Sequence, residues 1–410
     1  MGGAVYLVGG AVRDDMLGVQ PKEKDWVVVG GTPQDLESQG YRQVGASFPV
    51  FIHPDTGEEY SLARTERKEG HGYHGFTVDF HPGVTLEEDL LRRDLTINAM
   101  ARDGDGNLVD PYGGRRDLEA RVLRHVSPAF AEDPLRILRV ARFAARFAEF
   151  GFRVHDSTMD LMRRMTASGE IEHLVPERAW AEIAAAMGAS RPGRFVEVLR
   201  ECGALAVLLP EVDCLFGVPQ PERHHPEIDT GLHVLMTMNL AASEGWSANV
   251  VFALLLHDLG KGLTPAQKLP SHLGHETSGI PLVEDVCQRL RVPGAVRELA
   301  LKVCELHLRV HRLAEARPRT VMKVIEDADL LRRPALVEDF LRACEADYRG
   351  RKGLESRPYP QAQRLRTALE AALSVRARDI DTQGLDGPAI GEKLRDARIA
   401  AIAGCEGPAG

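Results

Sequence analysis

The order of apolar and polar residues changes character about a third of the way along the chain. Up to about residue 110, apolar residues come in short β-rich runs at 5–8, 26–29, 50–53, 59–64 and 76–80, separated by Gly and Pro, with helical patterns between some of them. After Pro134 the period becomes that of a helix, as in PLRILRVARFAARFAEF and RAWAEIAAAMGA, which hold few β-branched runs. A stretch rich in Pro and His, VPQPERHHPEIDTG at 218–231, reads as a loop. A helical block follows to about Ala328, and a helical tail with Gly-rich breaks closes the sequence. The pattern predicts an α/β head followed by all-α domains, with no internal repeat and no low-complexity tract.

Composition narrows the class. At 410 residues the chain is long enough for two or three domains, and 44% hydrophobic residues can build real cores, which excludes a disordered or fibrous protein. The longest uninterrupted apolar run, 250–256, is far short of the roughly 20 residues a membrane-spanning helix needs. No basic region precedes the first apolar run, and Tyr6 stands where a myristoylation signal needs Ser or Thr, so neither export nor a lipid anchor is expected. The six cysteines form no CxxC pair and read as reduced thiols of a cytoplasmic protein rather than a disulfide framework or zinc ribbon. Lys and Arg number 51 against 60 for Asp and Glu, a formal charge of -9, which excludes non-specific coating of nucleic acid but leaves room for a local basic face.

Two segments of the head carry candidate chemistry. VYLVGGAVRDDMLG predicts a strand, then Gly9 and Gly10, then a helix start bearing Arg13. Paired glycines let backbone N–H groups approach an anion, and the helix dipole and Arg13 add positive potential. The segment lacks both the GxGxxG and the GxxxxGK[ST] spacing, so an ordinary tight turn fits it as well. Downstream, KEKDWVVVGG sets Glu23 and Asp25 two apart at the mouth of a strand. Residues two apart on an extended chain face the same side, so both carboxylates can converge on one hard divalent cation, as in two-metal phosphoryl and nucleotidyl transfer. Taken alone, the pair also fits a solvated charged turn.

The segment AEDPLRILRVARFAARF predicts a helix with Asp133 as its N-cap and Pro134 as its first residue. At 3.6 residues per turn, Arg136, Arg139, Arg142 and Arg146 share one face, opposite Ile137, Leu138, Ala141 and Ala145. Four arginines on one face suit phosphate binding.

The strings LVGGAVRD, KDWVVVG, ARTER, RRDLTINAM, DPYGG, LRHVSPAFAEDPLRILRVARFAARF and HPEIDTGLH resemble those of the bacterial class II tRNA nucleotidyltransferases. These are the CCA-adding enzymes with an attached HD domain, members of the DNA polymerase beta superfamily. The resemblance runs from about Tyr6 to about Ile402 and implies four parts: a nucleotidyltransferase head at 1–140, a helical neck and body at 141–229, an HD phosphohydrolase domain at 230–331 and a helical tail at 332–410. It implies that CTP and ATP extend the tRNA 3′ end in a magnesium-dependent reaction, in a monomer or homodimer that has no membrane partner.

Residue by residue, the resemblance makes Glu23 and Asp25 the magnesium ligands. Many relatives have Asp at the first of these, so Glu23 adds a methylene and alters the reach. Glu59, in EYSLAR, is a candidate third carboxylate. Gly10 and Arg13 would bind the triphosphate, Arg93 and Asp94 the nucleotide, and Asp94 or Asn98 a 2′-hydroxyl. In the EDxxR motif, Asp133 and Arg136 would read the Watson–Crick edge of C or A, while Arg139 and Arg142 hold the triphosphate. Arg153, Arg163, Arg164 and Arg178 are candidate tRNA contacts.

VVFALLLHDLGKG, with His233 upstream in TGLHVLMTM, resembles the HD phosphohydrolase signature. It implies a divalent metal, often nickel, held by His233, His257, Asp258 and a distant acid, with Asp329 the choice and Asp327 the runner-up. Lys261 is a candidate phosphate contact, and His272, His275, His307 and His311 are left unassigned. Phosphatase and 2′,3′-cyclic phosphodiesterase activity would follow. The competing readings are a poly(A) polymerase, a nucleotide signalling synthetase-hydrolase, and an RNA-binding or phosphohydrolase protein with an inactive head.

Overall fold

The computed structural model describes residues 3–21, 23–44, 50–68 and 76–405; Lys22, in the charged turn KEKD, lies outside them. The chain forms two compact units, Met1–Ala179 with Glu197–Leu208, and Trp180–Val196 with Leu209–Gly410. Among the described residues no helix is long and apolar enough to cross a membrane.

The first unit is built on a mixed sheet. Its strands are β1 (Ala4–Val8), β2 (Asp25–Val29), β3 (Arg42–Val44), β4 (Val50–Ile52), β5 (Glu59–Leu62), β8 (Ala101–Arg102) and β9 (Leu108–Val109), in the order β3-β4-β5-β2-β1-β8-β9. Between β5 and β8 in sequence, β6 (Thr65–Lys68) and β7 (Phe76–Asp79) pair as a separate antiparallel ribbon. The five expected strands are therefore present. The short β3, β8 and β9 had no pattern long enough to announce them.

Strand β2 reads DWVVV because both of its faces are covered. Val27 packs with Val8, Leu90 and Ala101 on one side, and Val28 with Leu36, Phe51 and Leu62 on the other. Alternating side chains on a doubly covered strand must all be apolar. The covering comes from α2 (Pro33–Ser38), which supplies Leu36, and α3 (Leu86–Leu91), which supplies Leu90. Register then fixes the site. β1 runs antiparallel to β2 with Val8 opposite Asp25, and β5 runs parallel with Glu59 opposite Asp25. The turn into α1 (Gly10–Met16), the start of β2 and the start of β5 thus meet at one end of the sheet.

Past α4 (Gly114–Glu119), α5 (Leu135–Arg146) buries Ile137, Leu138, Ala141 and Ala145, while its arginines stay partly exposed, as the period predicts. The 140/141 boundary falls inside this helix. Helices α6 (Asp156–Ala167), α7 (Pro176–Met187), α8 (Pro192–Glu201) and α9 (Ala204–Leu208) follow.

The second unit is all helical: α10 (Pro210–Asp213), α11 (Thr230–Ser243), α12 (Ala248–Leu256), α13 (His275–Arg289), α14 (Gly294–His311), α15 (Pro318–Asp327), α16 (Val337–Arg349), α17 (Pro360–Ser374) and α18 (Gly387–Cys405). Helix α12, ANVVFALLL, is apolar all round because α11, α14 and α16 surround it. Its end delivers His257 and Asp258 into the interior. Helices α11 and α16 approach closely at Gly350, where a Cβ would stand 2.7 Å from the Thr237 Cα.

The two-faced sheet yields a stability prediction. Phe51 is fully buried, so Phe51→Ala is expected to cost about 3–5 kcal/mol, read as a lower urea midpoint of the full chain.

Candidate active sites

A cavity of about 680 Å³ in the first unit takes in Gly10, Arg13, Glu23, Asp25, Glu59, Arg93, Asp94, Asp133, Arg136, Arg139 and Arg142. Its turn is glycine by necessity. Gly9 has φ +68°, and a Cβ there would lie 2.7 Å from an Arg93 guanidinium nitrogen. Arg13 lines the wall but is only 3% exposed, donating to Asp14 at 2.8 Å and to the Asn98 side-chain oxygen, with its guanidinium over the Phe143 and Phe147 rings. Burial pushes its pKa down, against the pull of Asp14. It is a fixed part of the cavity.

Asp94 is the hub of this wall. One oxygen accepts from Leu95 N–H at 2.8 Å and Asn98 Nδ2 at 2.9 Å, and the other from Arg139 Nε at 2.8 Å. Burial alone would raise its pKa, but Arg139 and Asn98 outweigh burial and hold the carboxyl well below the usual range. A second tie joins Asp14 to Arg146 at 2.7 Å. Arg93 and Arg92 both pair with buried Asp89, at 3.1 and 2.6 Å.

The EDxxR segment is fixed at both ends. Helix α5 begins at Leu135 with Pro134 as its N-cap, one residue later than the cap pattern predicts, and Asp133 just before it accepts from Leu135 N–H at 3.0 Å. Its other oxygen accepts from Arg178 at 3.0 Å, so Arg178, nominated for tRNA, is part of this wall. Arg136 donates to the carbonyls of Ala129 (2.9 Å) and Arg92 (2.6 Å), which orient its guanidinium plane.

Opposite in charge are Glu23, Asp25 and Glu59, all exposed within the cavity. Protein around Asp25 raises its pKa, Glu23 adds to the rise and Arg93 opposes it. Oxygen donors held at such a cost fit a hard divalent cation. The arrangement is open: among the described residues, the groups of three ligands that close within 4.8 Å all contain histidine.

Those groups lie in the second unit. His233, His257 and Asp347 form one, with His233 Nε2 at 3.0 Å and His257 Nε2 at 3.6 Å from Asp347 Oδ1. His257 Nδ1 donates to the Leu254 carbonyl at 2.7 Å, which turns Nε2 toward the acids. Nε2 stands 3.1 Å from Asp258 Oδ2 without an aligned hydrogen bond, and Asp258 Oδ1 is likewise buried and unbonded. Orphaned donors aimed at a common point fit a divalent metal. Burial works against a charged His257, but Asp258 and Asp347 raise its pKa to about 10, so metal binding must displace a proton. Lys261 is paired with Asp258 at 2.6 Å.

The expected fourth ligand is corrected here. Asp329 lies outside the cluster, in a turn with φ +56° beside Arg332 and Arg333 at 3.4 and 3.8 Å, and Asp327 pairs with Arg309 at 2.6 Å. Asp347 is the acid that closes with His233 and His257. It follows Phe340, Ala343 and Cys344 on the buried stripe of α16, which carries it into the core. Sequence reading also missed Glu227, 3.0 Å from both His225 and His233, and Gln220, which accepts from Lys261. Asp347 had a usable signal, an acid on an otherwise apolar helix stripe.

Comparison with known proteins decides the family. Residues 5–124 match the model of the poly A polymerase head domain, residues 151–215 that described as "Probable RNA and SrmB- binding site of polymerase A", and residues 230–334 the HD domain. The multifunctional CCA protein of Thioalkalivibrio sulfidiphilus is 61% identical over 97% of each chain, and that of Nitrosococcus oceani 59% over 97% of each. The chain belongs to the multifunctional CCA protein family. Among solved structures, a Bacillus stearothermophilus CCA-adding enzyme in complex with CTP aligns with TM-score 0.64 at 23% identity, covering 98% of this chain and 89% of that one. A Thermotoga maritima CCA-adding enzyme complexed with tRNA-CCA aligns with TM-score 0.60 at 19% identity over 98% and 87%. Both share the fold: a polymerase-type head followed by helical regions.

Two predictions follow for this CCA-family chain. The raised Asp25 carboxyl disfavours the folded state at neutral pH, because its folded pKa exceeds its unfolded one and stability is gained as pH falls through it. Asp25→Asn is therefore expected to raise the thermal midpoint of the metal-free protein while lowering nucleotide addition about 10²-fold or more. A lowered midpoint would show that the carboxylate is instead stabilising. In the second unit, Asp347→Asn should abolish metal-dependent phosphoester hydrolysis and Asp329→Asn should leave it within about 3-fold; equal losses would overturn the assignment.

Proposed function

We propose that this protein adds and repairs the 3′-terminal CCA of tRNA, using CTP twice and ATP once, and that its HD unit hydrolyses phosphoesters. The observation that carries the first part is a single cavity with acids at the strand ends on one side and the EDxxR helix on another, in a chain 61% identical to a multifunctional CCA protein.

Glu23 and Asp25, with Glu59 beside them in register, would hold magnesium, which supplies Lewis-acid activation of the 3′-hydroxyl and charge neutralisation on the triphosphate. The chain's own residues do the rest. Arg139 and Arg142 present positive charge to the triphosphate, with Arg139 steadied by Asp94 and Arg142 packed on the Phe143 ring. Asp133 and Arg136 face the base edge. A carboxylate has lone pairs beyond the two bonds to Leu135 and Arg178, and the carbonyls of Ala129 and Arg92 hold the Arg136 fork in one plane. An acceptor beside a donor fork matches C and, after a small shift, A. It leaves G and U with unpaired polar groups.

In the HD unit, His233, His257, Asp258 and Asp347 would hold a divalent metal. Imidazole ligands favour a transition metal such as nickel over magnesium. The reaction class is phosphatase and 2′,3′-cyclic phosphodiesterase action. The protein works in the cytoplasm with its tRNA, a reading that the free cysteines support.

The test is extension of tRNA lacking CCA, with magnesium and each nucleotide alone or together, read at single-nucleotide resolution. Addition of C, C and then A is expected, and Arg136→Ala should lower kcat/KM for CTP about 10²-fold while narrowing the preference over UTP. Long A tracts would replace this reading with poly(A) synthesis. No extension would leave the phosphohydrolase alone.

A further inference from the structure

We infer that His311 and Tyr359 are positioning residues of the HD unit: through them the tail helix α17 sets the direction in which Asp347 presents its ligand oxygen. This rests on the metal reading of the HD unit given above. Neither side chain is among the ligands proposed there, and Tyr359 lies in the stretch, 332–410, that the sequence marks as a separate tail.

An aspartate on a helix does not by itself hold its carboxylate in one plane, because the torsion about its Cβ–Cγ bond is broad. At Asp347 the two oxygens are divided. Oδ1 faces His233 Nε2 at 3.0 Å and His257 Nε2 at 3.6 Å, while Oδ2 is bonded to His311 Nε2 at 2.7 Å. Arg351, one turn further along, comes only to 3.7 Å from Oδ1 and aims Nε and Nη1 at the carbonyls of Asp347 and His224, each at 3.2 Å. The bond from His311 therefore holds Oδ2 and turns Oδ1 toward the other two rings.

The contacts form a chain with one sense. An ionised carboxylate only accepts, so His311 carries its hydrogen on Nε2, and in the neutral ring Nδ1 is then an acceptor. The Tyr359 hydroxyl answers it at 2.9 Å. Tyr359 is 8% exposed, and a buried tyrosine hydroxyl needs such a partner. Both members are anchored to α17. His311 is the last residue of α14, and its carbonyl accepts from Gln361 Nε2 of α17 at 2.9 Å. Tyr359 is the N-cap residue of α17 and packs edge-on against the His311 ring, with centroids 5.7 Å apart. Arg364 of α17 adds bonds to the carbonyls of Leu313 and Ala316, just past α14. The tail is thus tied to the end of α14, and what the tie orients is a ligand carboxylate.

The test is nickel affinity of the full chain by equilibrium dialysis, in excess magnesium to occupy the head's carboxylates, with far-UV circular dichroism showing that each variant is folded. His311→Leu is expected to weaken binding about 10–100-fold, and Tyr359→Phe, which removes one oxygen atom, by a smaller factor. His311→Gln can still donate to Asp347 and should stay within about 3-fold of wild type. With saturating cobalt, the visible absorption bands report ligand geometry and should shift in His311→Leu and Tyr359→Phe but not in His311→Gln. Wild-type nickel affinity and unshifted bands in both His311→Leu and Tyr359→Phe would overturn the inference. Equal losses in His311→Leu and His311→Gln would do the same, by showing that the ring only fills space. A loss in His311→Leu beside a wild-type Tyr359→Phe would overturn the tail's part in it. A wild-type chain that takes up no nickel would instead overturn the metal reading itself.

Discussion

A buried carboxylate, Asp94, joins the helix that carries the arginines to the sheet end that carries the acids. It accepts from Arg139 of α5 and from Asn98, whose side-chain oxygen in turn accepts from Arg13 of α1. Removing one member would leave a buried charge unpaired, which costs far more than a surface ion pair contributes. The Asp14 to Arg146 pair repeats the tie two turns further along α5. Where α5 lies decides where Asp133 and Arg136 stand relative to Asp25 and Glu59, so the proposed base reading and metal binding would both depend on the pairing of these buried charges.

The second unit uses buried charge in the opposite sense. In the first, the buried carboxylates Asp14, Asp89 and Asp94 are already matched by guanidinium groups. In the second, Asp258 and Asp347 sit among histidines, of which His257, His275 and His307 donate their other nitrogen to backbone carbonyls, and several ligand atoms are left with no bond. Burial would push both acids up, yet neighbouring histidines, with Lys261 at Asp258, hold them well below the usual range. Such a cluster has the donor set of a divalent-metal site.

Much of this was legible in the sequence because it is local. Glu23 and Asp25 both line the cavity, although β2 begins only at Asp25, and the 3.6-residue spacing of the α5 arginines becomes one face. The expected start of α5 is one residue off: Pro134 is the N-cap, and Asp133 just before it accepts from Leu135 N–H. The exact partners were not legible. That Arg13 is spent on Asp14 and Asn98, or that Arg178 reaches Asp133, follows from tertiary placement with no periodic trace. Asp329 was expected as a ligand for its distance from His257 in sequence, but it sits in a half-buried turn facing Arg332 and Arg333, whereas Asp347 rides into the core on the apolar stripe of α16.

The central claim is that Asp94 and Arg139 act as one unit that positions the nucleotide-reading helix. A double-mutant cycle with Asp94→Asn and Arg139→Gln, read as kcat/KM for CTP incorporation, tests it most directly. The two losses should overlap, so that the double variant is no worse than the more damaged single one. Losses that multiply would show that the two side chains act separately and contradict the account.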